Sequence, residues 1–227
     1  MYTLVLLSGG TGTRMKKDIP KQYLLLAGKP VIMHILERVD KIKEITEVVI
    51  VCTDEFIPSI KTMLAQYNIM TPIKFARAGS TRQASVKSGL EFVTTENVIL
   101  HEAARPFVSE KDFIRLIEEP CENAMYGAVI PFTVIKGHET VEGILDRSEL
   151  VNVQLPQQFD TNVLKEAHNR AAQEKRTFTE DAGLVYYYYP NIKIKICEGM
   201  DYNIKLTTSI DLITGEMIYK EYFARRK

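Results

Sequence analysis

Cysteine is scarce in this chain. Three cysteines occur in 227 residues, at Cys52, Cys121 and Cys197. They are widely spaced, odd in number and form no C-x-x-C pair, so the sequence predicts neither a disulfide framework nor a zinc site. We expect a reducing, cytoplasmic environment.

Net charge and long apolar runs are also absent. Lys plus Arg and Asp plus Glu each number 29, which argues against a broad basic surface that binds nucleic acid. The apolar start, MYTLVLLSGG, reaches glycine too early for a secretory signal and has no basic segment before it. No later run approaches the length of a transmembrane helix. We therefore expect neither nucleic acid nor membrane as a partner, and any cluster of cations must be local.

Apolar, β-branched runs alternate along the chain with amphipathic segments of helical length, such as 31–42 and 81–93. This alternation predicts a Rossmann-like α/β fold, in which a mostly parallel sheet is covered by helices on both faces. The length suits one domain, 1–227. The predicted strands are 3–8, 47–53, 72–77, 97–102, 127–132 and 192–198.

Residues 132–155 differ from this alternation of strand-like and helix-like segments. Polar and apolar residues alternate there around the turn signals GHE and EG. The pattern predicts a β-hairpin arm that leaves the main body. An arm with little core of its own packs on another surface. We expect a homodimer formed through this arm.

The first predicted strand runs into a loop of small residues. Its glycines are Gly9, Gly10 and Gly12. Parallel sheets bind ligands at the carboxyl ends of their strands, and glycines let backbone N–H groups approach phosphate there. Arg14 follows the loop, and Lys21 follows a proline that restricts the backbone. Two such cations suit a polyphosphate whose charge rises during reaction, although a plain turn with a solvated basic surface has the same composition.

Further motifs follow in an order that resembles the cytidylyltransferases that make CDP-alcohols. Relatives of this kind are 2-C-methyl-D-erythritol 4-phosphate cytidylyltransferase and ribitol-5-phosphate cytidylyltransferase. The resemblance implies a fold of the nucleotide-diphospho-sugar transferase type. It also implies that the phosphate of a sugar-alcohol phosphate attacks the α-phosphorus of CTP, with Mg²⁺ assisting and pyrophosphate leaving. The motifs are GGTGTRM, PKQYLLLAGKP, AGSTRQASVKSGL, HEAARPF, DRSEL, PQQF, TEDAG and YNIKLTT.

The resemblance assigns one group of residues to CTP. Arg14 and Lys21 match the pair that binds the triphosphate and stabilises the transition state, and Lys205 matches a third cation of the active site. The segment that holds cytosine and ribose is matched by Gly79, Arg82 and Ser85. Two alternatives need no ligand: Lys205 as a surface lysine, and the 79–85 segment as a helix start capped by Ser80 or Thr81.

A second group is assigned to the metal and the alcohol phosphate. Glu102 stands where the family has a metal-binding aspartate, and glutamate can also coordinate Mg²⁺. Arg105 either binds substrate or ties down its loop. Arg147 matches an arginine that reaches the alcohol phosphate from the neighbouring subunit. Thr179 matches a threonine on that same side, although T-E-D-A is also a capping signature. His101 we interpret as structural.

Four features depart from the methylerythritol pattern: Glu102, the start of the arm, Tyr202 before NIK, and Leu155 where the family has threonine. All lie on the metal or alcohol side. The resemblance therefore predicts CTP as the nucleotide, whereas it leaves the acceptor open between 2-C-methyl-D-erythritol 4-phosphate, D-ribitol 5-phosphate and a third polyol phosphate. If Leu155 forms a wall of the alcohol pocket, a linear pentitol phosphate should be preferred.

Two other functions agree with parts of the sequence. A nucleotide-cofactor oxidoreductase needs the third glycine of the dinucleotide fingerprint, but this loop runs into Arg-Met. A catalytically impaired nucleotide-binding relative would fit the changes at Glu102 and Leu155. Inactive relatives usually lose the phosphate-binding cations, however, and this chain keeps all three.

Overall fold

The structure, a computed structural model, describes residues 1–10 and 20–224. The strands of this part of the chain are β1 (Tyr2–Leu7), β2 (Leu25–Leu26), β3 (Lys29–Pro30), β4 (Ile45–Cys52), β5 (Ile73–Arg77), β6 (Asn97–Glu102), β7 (Ala124–Val129), β8 (Ile135–Gly137), β9 (Val141–Ile144), β10 (Val151–Asp160) and β11 (Lys195–Glu198). The helices are α1 (Val31–Val39), α2 (Ile57–Gln66), α3 (Arg82–Leu90), α4 (Glu110–Ile117), α5 (Thr161–Gln173), α6 (Asp181–Tyr188) and α7 (Ser209–Ile218). No α-helix among these residues is long and apolar enough to cross a membrane.

Seven strands form the central sheet, in the order β11, β7, β10, β6, β1, β4, β5. β1 pairs in parallel with both β4 and β6, so that Val5 lies beside Val49 on one side and Leu100 on the other. β4 and β5 are also parallel, as are β7 and β11. Among the described strands of this sheet, β10 is the one that runs antiparallel to its neighbours. The predicted mostly parallel α/β sheet is confirmed.

Alternate residues of the strands supply two hydrophobic layers, one on each face of the sheet. Leu4 and Ile50 point into the layer covered by α1, α2 and α4. Val5 and Val51 point into the opposite layer, covered by α3, α5 and α6. Because side chains alternate along a strand, unbroken β-branched and aliphatic runs produce a sheet that is buried on both faces. α7 packs on a smaller cluster that contains Phe107 and Leu206.

Strand β10 was not predicted from the sequence. Its middle is rich in glutamine, which hides the apolar pattern of a central strand. These glutamines are buried, and their amides donate hydrogen bonds: Gln154 Nε2 to the carbonyl of Met200 at 2.9 Å, Gln158 Nε2 to that of Cys121 at 2.9 Å, and Gln157 Nε2 to the Glu180 carboxylate at 3.2 Å. Buried polar groups are tolerated when hydrogen-bonded in this way.

The predicted arm is shorter than 132–155. β8 and β9 pair as an antiparallel hairpin, with Gly137 in the left-handed region at φ 138°. From Val151 onward the chain pairs with β7, opposite Val129. The C-terminal part of the predicted arm therefore belongs to the central sheet.

Candidate active site

A cavity of about 540 Å³ opens at the carboxyl ends of β1, β4, β5 and β6. The residues that follow or end these strands, including Gly9, Thr53, Gly79 and Glu102, form its walls. The chain proceeds from β1 to β4 and β5 on one side, and β6 then returns to the other side of β1. The cavity thus lies at the point where the strand order reverses, which is where open α/β sheets bind ligands.

The two described glycines of the first loop differ in what requires them. A Cβ at Gly9 would lie 2.3 Å from Ala78 Cβ, so close packing of the loops after β1 and β5 demands glycine there. A Cβ at Gly10 would meet nothing within 4 Å, which leaves its surface open toward the cavity. Gly12 and Arg14 lie outside the described residues.

Gln22 fixes this loop, and sequence reasoning missed it. The side chain is 3% exposed, and its Nε2 donates to the carbonyl oxygens of Ser8 at 2.6 Å and Gly10 at 3.0 Å. Its neighbour Lys21 begins a short 3₁₀ turn and lines the cavity. The clue in the sequence was the position of Gln22 directly after Lys21. From there its side chain connects the lysine segment to the glycine loop.

The 79–85 segment forms the opposite wall. Thr81 is the N-cap of α3, since its hydroxyl accepts from the backbone N–H of Ala84 at 3.0 Å, which confirms the predicted cap. The Ser85 hydroxyl accepts from Gly79 N at 3.0 Å and donates to Thr81 O at 2.9 Å. A Cβ at Gly79 would lie 2.6 Å from that of Ala84. This turn therefore closes on itself without a ligand and still presents its surface to the cavity.

Glu102, at the end of β6, is the carboxylate among the described lining residues. Three cations surround it: Lys205 Nζ at 2.9 Å, Arg105 Nε at 3.4 Å and Arg82 Nε at 3.4 Å. Burial alone would raise the pKa of Glu102, but Lys205, then Arg105 and Arg82, outweigh it and lower the pKa to about 2. The group is ionised throughout the physiological range.

Arg82 also contacts a second, fully buried carboxylate that the sequence did not reveal. Its Nη1 lies 2.6 Å from Asp181 Oδ2. The other oxygen of Asp181 lies 2.9 Å from His168 Nε2. Asp181 and His168 are each 1% exposed, whereas the Arg82 side chain is 25% exposed and lines the cavity.

The cavity walls thus carry Lys21, Arg82 and Lys205 against a single carboxylate, Glu102, among the described lining residues. The chain as a whole has no net charge. This local excess of positive charge suits an anionic, polyphosphate ligand.

Arg105 does not line the cavity. Besides its ion pair with Glu102, it donates from Nη1 to the carbonyl of Asn203 at 3.0 Å. It therefore ties the loop after β6 to the segment that carries Lys205. His101 is fully buried and donates from Nε2 to the carbonyl of Arg105 at 3.0 Å, in keeping with a structural role.

Leu155 is buried, and Tyr202 is half-buried. The Leu155 side chain is 4% exposed and belongs to the hydrophobic layer under α5 and α6. This burial removes the basis for treating Leu155 as a wall of the alcohol pocket. The Tyr202 hydroxyl donates to Asp112 Oδ2 at 3.1 Å, and its ring packs on Tyr222 and Phe223, away from the cavity.

Two further predicted residues lie away from the cavity lining. Arg147, in the arm, donates from Nη1 to the carbonyl of Pro131 at 2.7 Å. Thr179 is exposed. The cap of α6 is not Thr179 but Glu180, whose carboxylate accepts from the N–H groups of Ala182 and Gly183; the proposed threonine cap was wrong because the longer glutamate side chain reaches both donors.

Within residues 1–10 and 20–224, no group of three or more His, Cys, Asp or Glu side chains could hold a metal ion. Mg²⁺ usually takes only one or two carboxylates and completes its coordination with water and substrate phosphates. The ionised Glu102 at the cavity wall fits this pattern. The donor set therefore suits a metal that arrives with a phosphate ligand.

The fold and this site define a nucleotide-dependent transferase built on a Rossmann-like sheet. The sequence profile of the family IspD, 2-C-methyl-D-erythritol 4-phosphate cytidylyltransferase, matches residues 2–221. The chain belongs to this family of CTP-dependent cytidylyltransferases.

Similarity to individual relatives agrees with this family assignment. The chain is 34% identical over 226 residues to the 2-C-methyl-D-erythritol 4-phosphate cytidylyltransferase of Halalkalibacterium halodurans, with 97% of each chain covered. It is 34% identical over 225 residues to the chloroplastic enzyme of Oryza sativa subsp. japonica, covering 96% of this chain and 74% of that protein. The solved structure of 4-diphosphocytidyl-2C-methyl-D-erythritol synthase from Anaerococcus prevotii matches with a TM-score of 0.85 at 25% identity, over 96% of each chain. The structure of the cytidylyltransferase from Thermus thermophilus matches with a TM-score of 0.77 at 26% identity, over 97% of this chain and 100% of that one.

The first prediction concerns the Glu102 cluster. Glu102→Gln should lower the free energy of unfolding at neutral pH by up to about 3 kcal/mol, because the folded pKa is depressed from 4.5 to about 2. A depressed folded pKa contributes stability above the unfolded value and loses it as pH falls through the folded one. Urea unfolding should therefore show a constant difference from wild type down to about pH 5, shrinking toward pH 2.

Glu166→Gln is the control, because Glu166 and its partner Arg170 are both about half exposed. It should change the free energy of unfolding by less than about 0.5 kcal/mol at any pH. A pH-independent effect of Glu102→Gln would contradict the assigned charge cluster.

Proposed function

We propose that this chain transfers the cytidylyl group of CTP to 2-C-methyl-D-erythritol 4-phosphate and releases pyrophosphate. The observation that carries the proposal is the family match over residues 2–221, in a chain whose cavity gathers glycine loops and cations at the switch point. Nucleotidyl transfer needs positioning and charge neutralisation more than covalent chemistry. Arginine and lysine side chains at a phosphate loop supply both.

The cations have distinct tasks in this proposal. Lys21 and Arg14 bind the triphosphate and stabilise the negative charge that develops as pyrophosphate leaves. Lys205 neutralises the α-phosphate region from the opposite wall, where its pairing with Glu102 fixes it. The backbone of Gly9, Gly10 and Gly12 accommodates the phosphates.

The 79–85 turn holds the nucleoside in this proposal. Its backbone groups and the Ser85 hydroxyl read the edge of cytosine. Arg82, in the first turn of α3, also binds the nucleoside. The turn is preformed by its internal hydrogen bonds. A preformed site loses little conformational entropy when the nucleotide binds.

A divalent cation, Mg²⁺ or a similar ion, would be held by Glu102 together with the CTP phosphates. When bound, it would supply charge neutralisation on the phosphoryl oxygens. Lys205 and Arg105 keep the Glu102 carboxylate ionised, with its pKa near 2, and thus able to act as a ligand at any physiological pH.

The proposed acceptor, 2-C-methyl-D-erythritol 4-phosphate, is supported chiefly by the similarity to relatives. The relatives cited above are named for methylerythritol chemistry. Leu155 and Tyr202 raised the alternative of D-ribitol 5-phosphate. Leu155 packs in the core, and Tyr202 packs against the C-terminal aromatic residues. The departures at these two positions therefore favour no other acceptor.

We also propose that the chain works as a homodimer through the β8–β9 arm, within a single domain. The arm exposes several large apolar side chains, with Phe132 77%, Val141 66% and Ile144 83% exposed. Apolar surface of this kind is typical of a protein interface. In the dimer, Arg147 would reach the alcohol phosphate of the neighbouring subunit, and Thr179 would lie on the acceptor side of its own.

The second prediction addresses the cations. Lys21→Ala and Arg14→Ala should each lower kcat by about a hundredfold or more, as expected when a group that stabilises transition-state charge is removed. Thermal unfolding should be unchanged. Lys41→Ala, which removes a lysine 66% exposed and paired with Glu110, is the matched control and should be fully active. Near-normal turnover of Lys21→Ala at saturating CTP would contradict its role.

The third prediction addresses the acceptor. Pyrophosphate release from CTP should be efficient with 2-C-methyl-D-erythritol 4-phosphate and at least about tenfold less so, in kcat/KM, with D-ribitol 5-phosphate. Leu155→Thr should lower stability, because it replaces a core leucine with a smaller polar residue, while the ratio between acceptors stays within about threefold. Efficient use of ribitol phosphate alone would overturn the proposed acceptor.

The fourth prediction addresses assembly. Ile144→Asp should convert a dimer to a monomer in sedimentation and abolish activity, since a charge would be buried in an apolar interface. Met70→Asp changes a side chain that is equally exposed, at 82%, but outside the arm. It should leave both properties intact. A monomeric, active wild type would refute the arm interface.

A further inference from the structure

We propose that Asp181 and His168 are positioning residues that orient Arg82 for nucleotide binding, in addition to the residues that contact the substrates. The inference rests on the proposed function only for the identity of the nucleotide. Neither residue lines the main cavity. Their effect must therefore pass through the arginine.

Arg82 is held by carboxylates from two separate elements. Its Nε faces Glu102 at 3.4 Å and its Nη1 faces Asp181 at 2.6 Å. The guanidinium group is planar, with its donors in a fixed fork. Two contacts at different nitrogens therefore fix both the position and the plane of the group, and the exposed quarter of the side chain is directed to the cavity.

His168 completes the arrangement from α5. It binds Asp181 Oδ1 at 2.9 Å, on the oxygen that does not face Arg82. With both oxygens engaged, the carboxylate cannot rotate away from the arginine. Burial would raise the pKa of Asp181, but Arg82 and His168 outweigh it and lower the pKa, so the carboxylate remains charged.

A contribution to stability does not by itself explain where this buried ion pair lies. A buried ion pair costs much desolvation and is by itself weak evidence for stability. Here the pair spans α3 and α6, and its arginine lies at the N-terminus of α3, within the turn that forms the wall of the cavity. Small displacements of a binding group reduce its contribution strongly. The buried pair is thus placed where its rigidity affects ligand binding.

The test is direct binding of CTP by calorimetry without acceptor, combined with steady-state kinetics. Asp181→Asn, which keeps shape and removes charge, should raise the Kd for CTP about tenfold or more, with KM for CTP rising in parallel and KM for the acceptor little changed. Asp181→Glu, which keeps the charge but moves the carboxylate by one methylene, should weaken CTP binding less than Asp181→Asn and serves as a second variant if the asparagine protein folds poorly. Arg170→Ala, which removes an exposed arginine from the same helix as His168, is the control and should bind CTP normally.

A double-mutant cycle separates positioning from general stability. In an Arg82→Ala background, Asp181→Asn should cause no further loss beyond about twofold. Millimolar guanidinium should partly restore CTP binding to Arg82→Ala but not to the double variant, because the rescuing ion needs the Asp181 carboxylate. Additive losses, or normal CTP binding by Asp181→Asn, would overturn this inference. Failure of the wild type to bind CTP would instead overturn the proposed function.

Discussion

The site depends on one buried charge, the carboxylate of Glu102. A lone ionised carboxylate is very costly to bury, and only close partners offset that cost. Its partners come from three parts of the chain: the first turn of α3, the loop after β6 and the segment after β11. Folding therefore brings these cations together around this group, and two of them, Arg82 and Lys205, line the cavity.

Buried amide side chains perform a complementary task for the backbone. Gln22 holds the glycine loop, Gln154 holds the turn after β11 at Met200, and Asn203 donates from Nδ2 to the Leu155 carbonyl at 2.7 Å. Loop carbonyls that have no sheet partner need such donors when they are buried. These bonds hold the glycine loop at the cavity and the segment that leads to Lys205.

The departures from the methylerythritol pattern have different physical meanings. Glu102 remains at the cavity wall, so its longer side chain bears directly on the surrounding cations. Leu155 instead packs in the core, and Tyr202 packs half-buried against the C-terminal aromatic residues. A substitution near a motif is thus not in itself a change in the site, since adjacent residues of a strand or turn point in opposite directions.

The sequence by itself determined the layered α/β fold and pointed to the glycine loop and the cations, because apolar periodicity and motif order are local properties of the chain. Eight of the residues assigned from the sequence line one cavity: Gly9, Gly10, Lys21, Gly79, Arg82, Ser85, Glu102 and Lys205. Their ligand roles stay predictions. Only the tertiary structure showed that Arg105 connects the loop after β6 to the segment that carries Lys205, and that Asp181 contacts both Arg82 and His168. The Arg82 to Asp181 contact joins residues 99 apart in the chain, and no local pattern encodes a pairing that arises when separate helices pack on the same sheet.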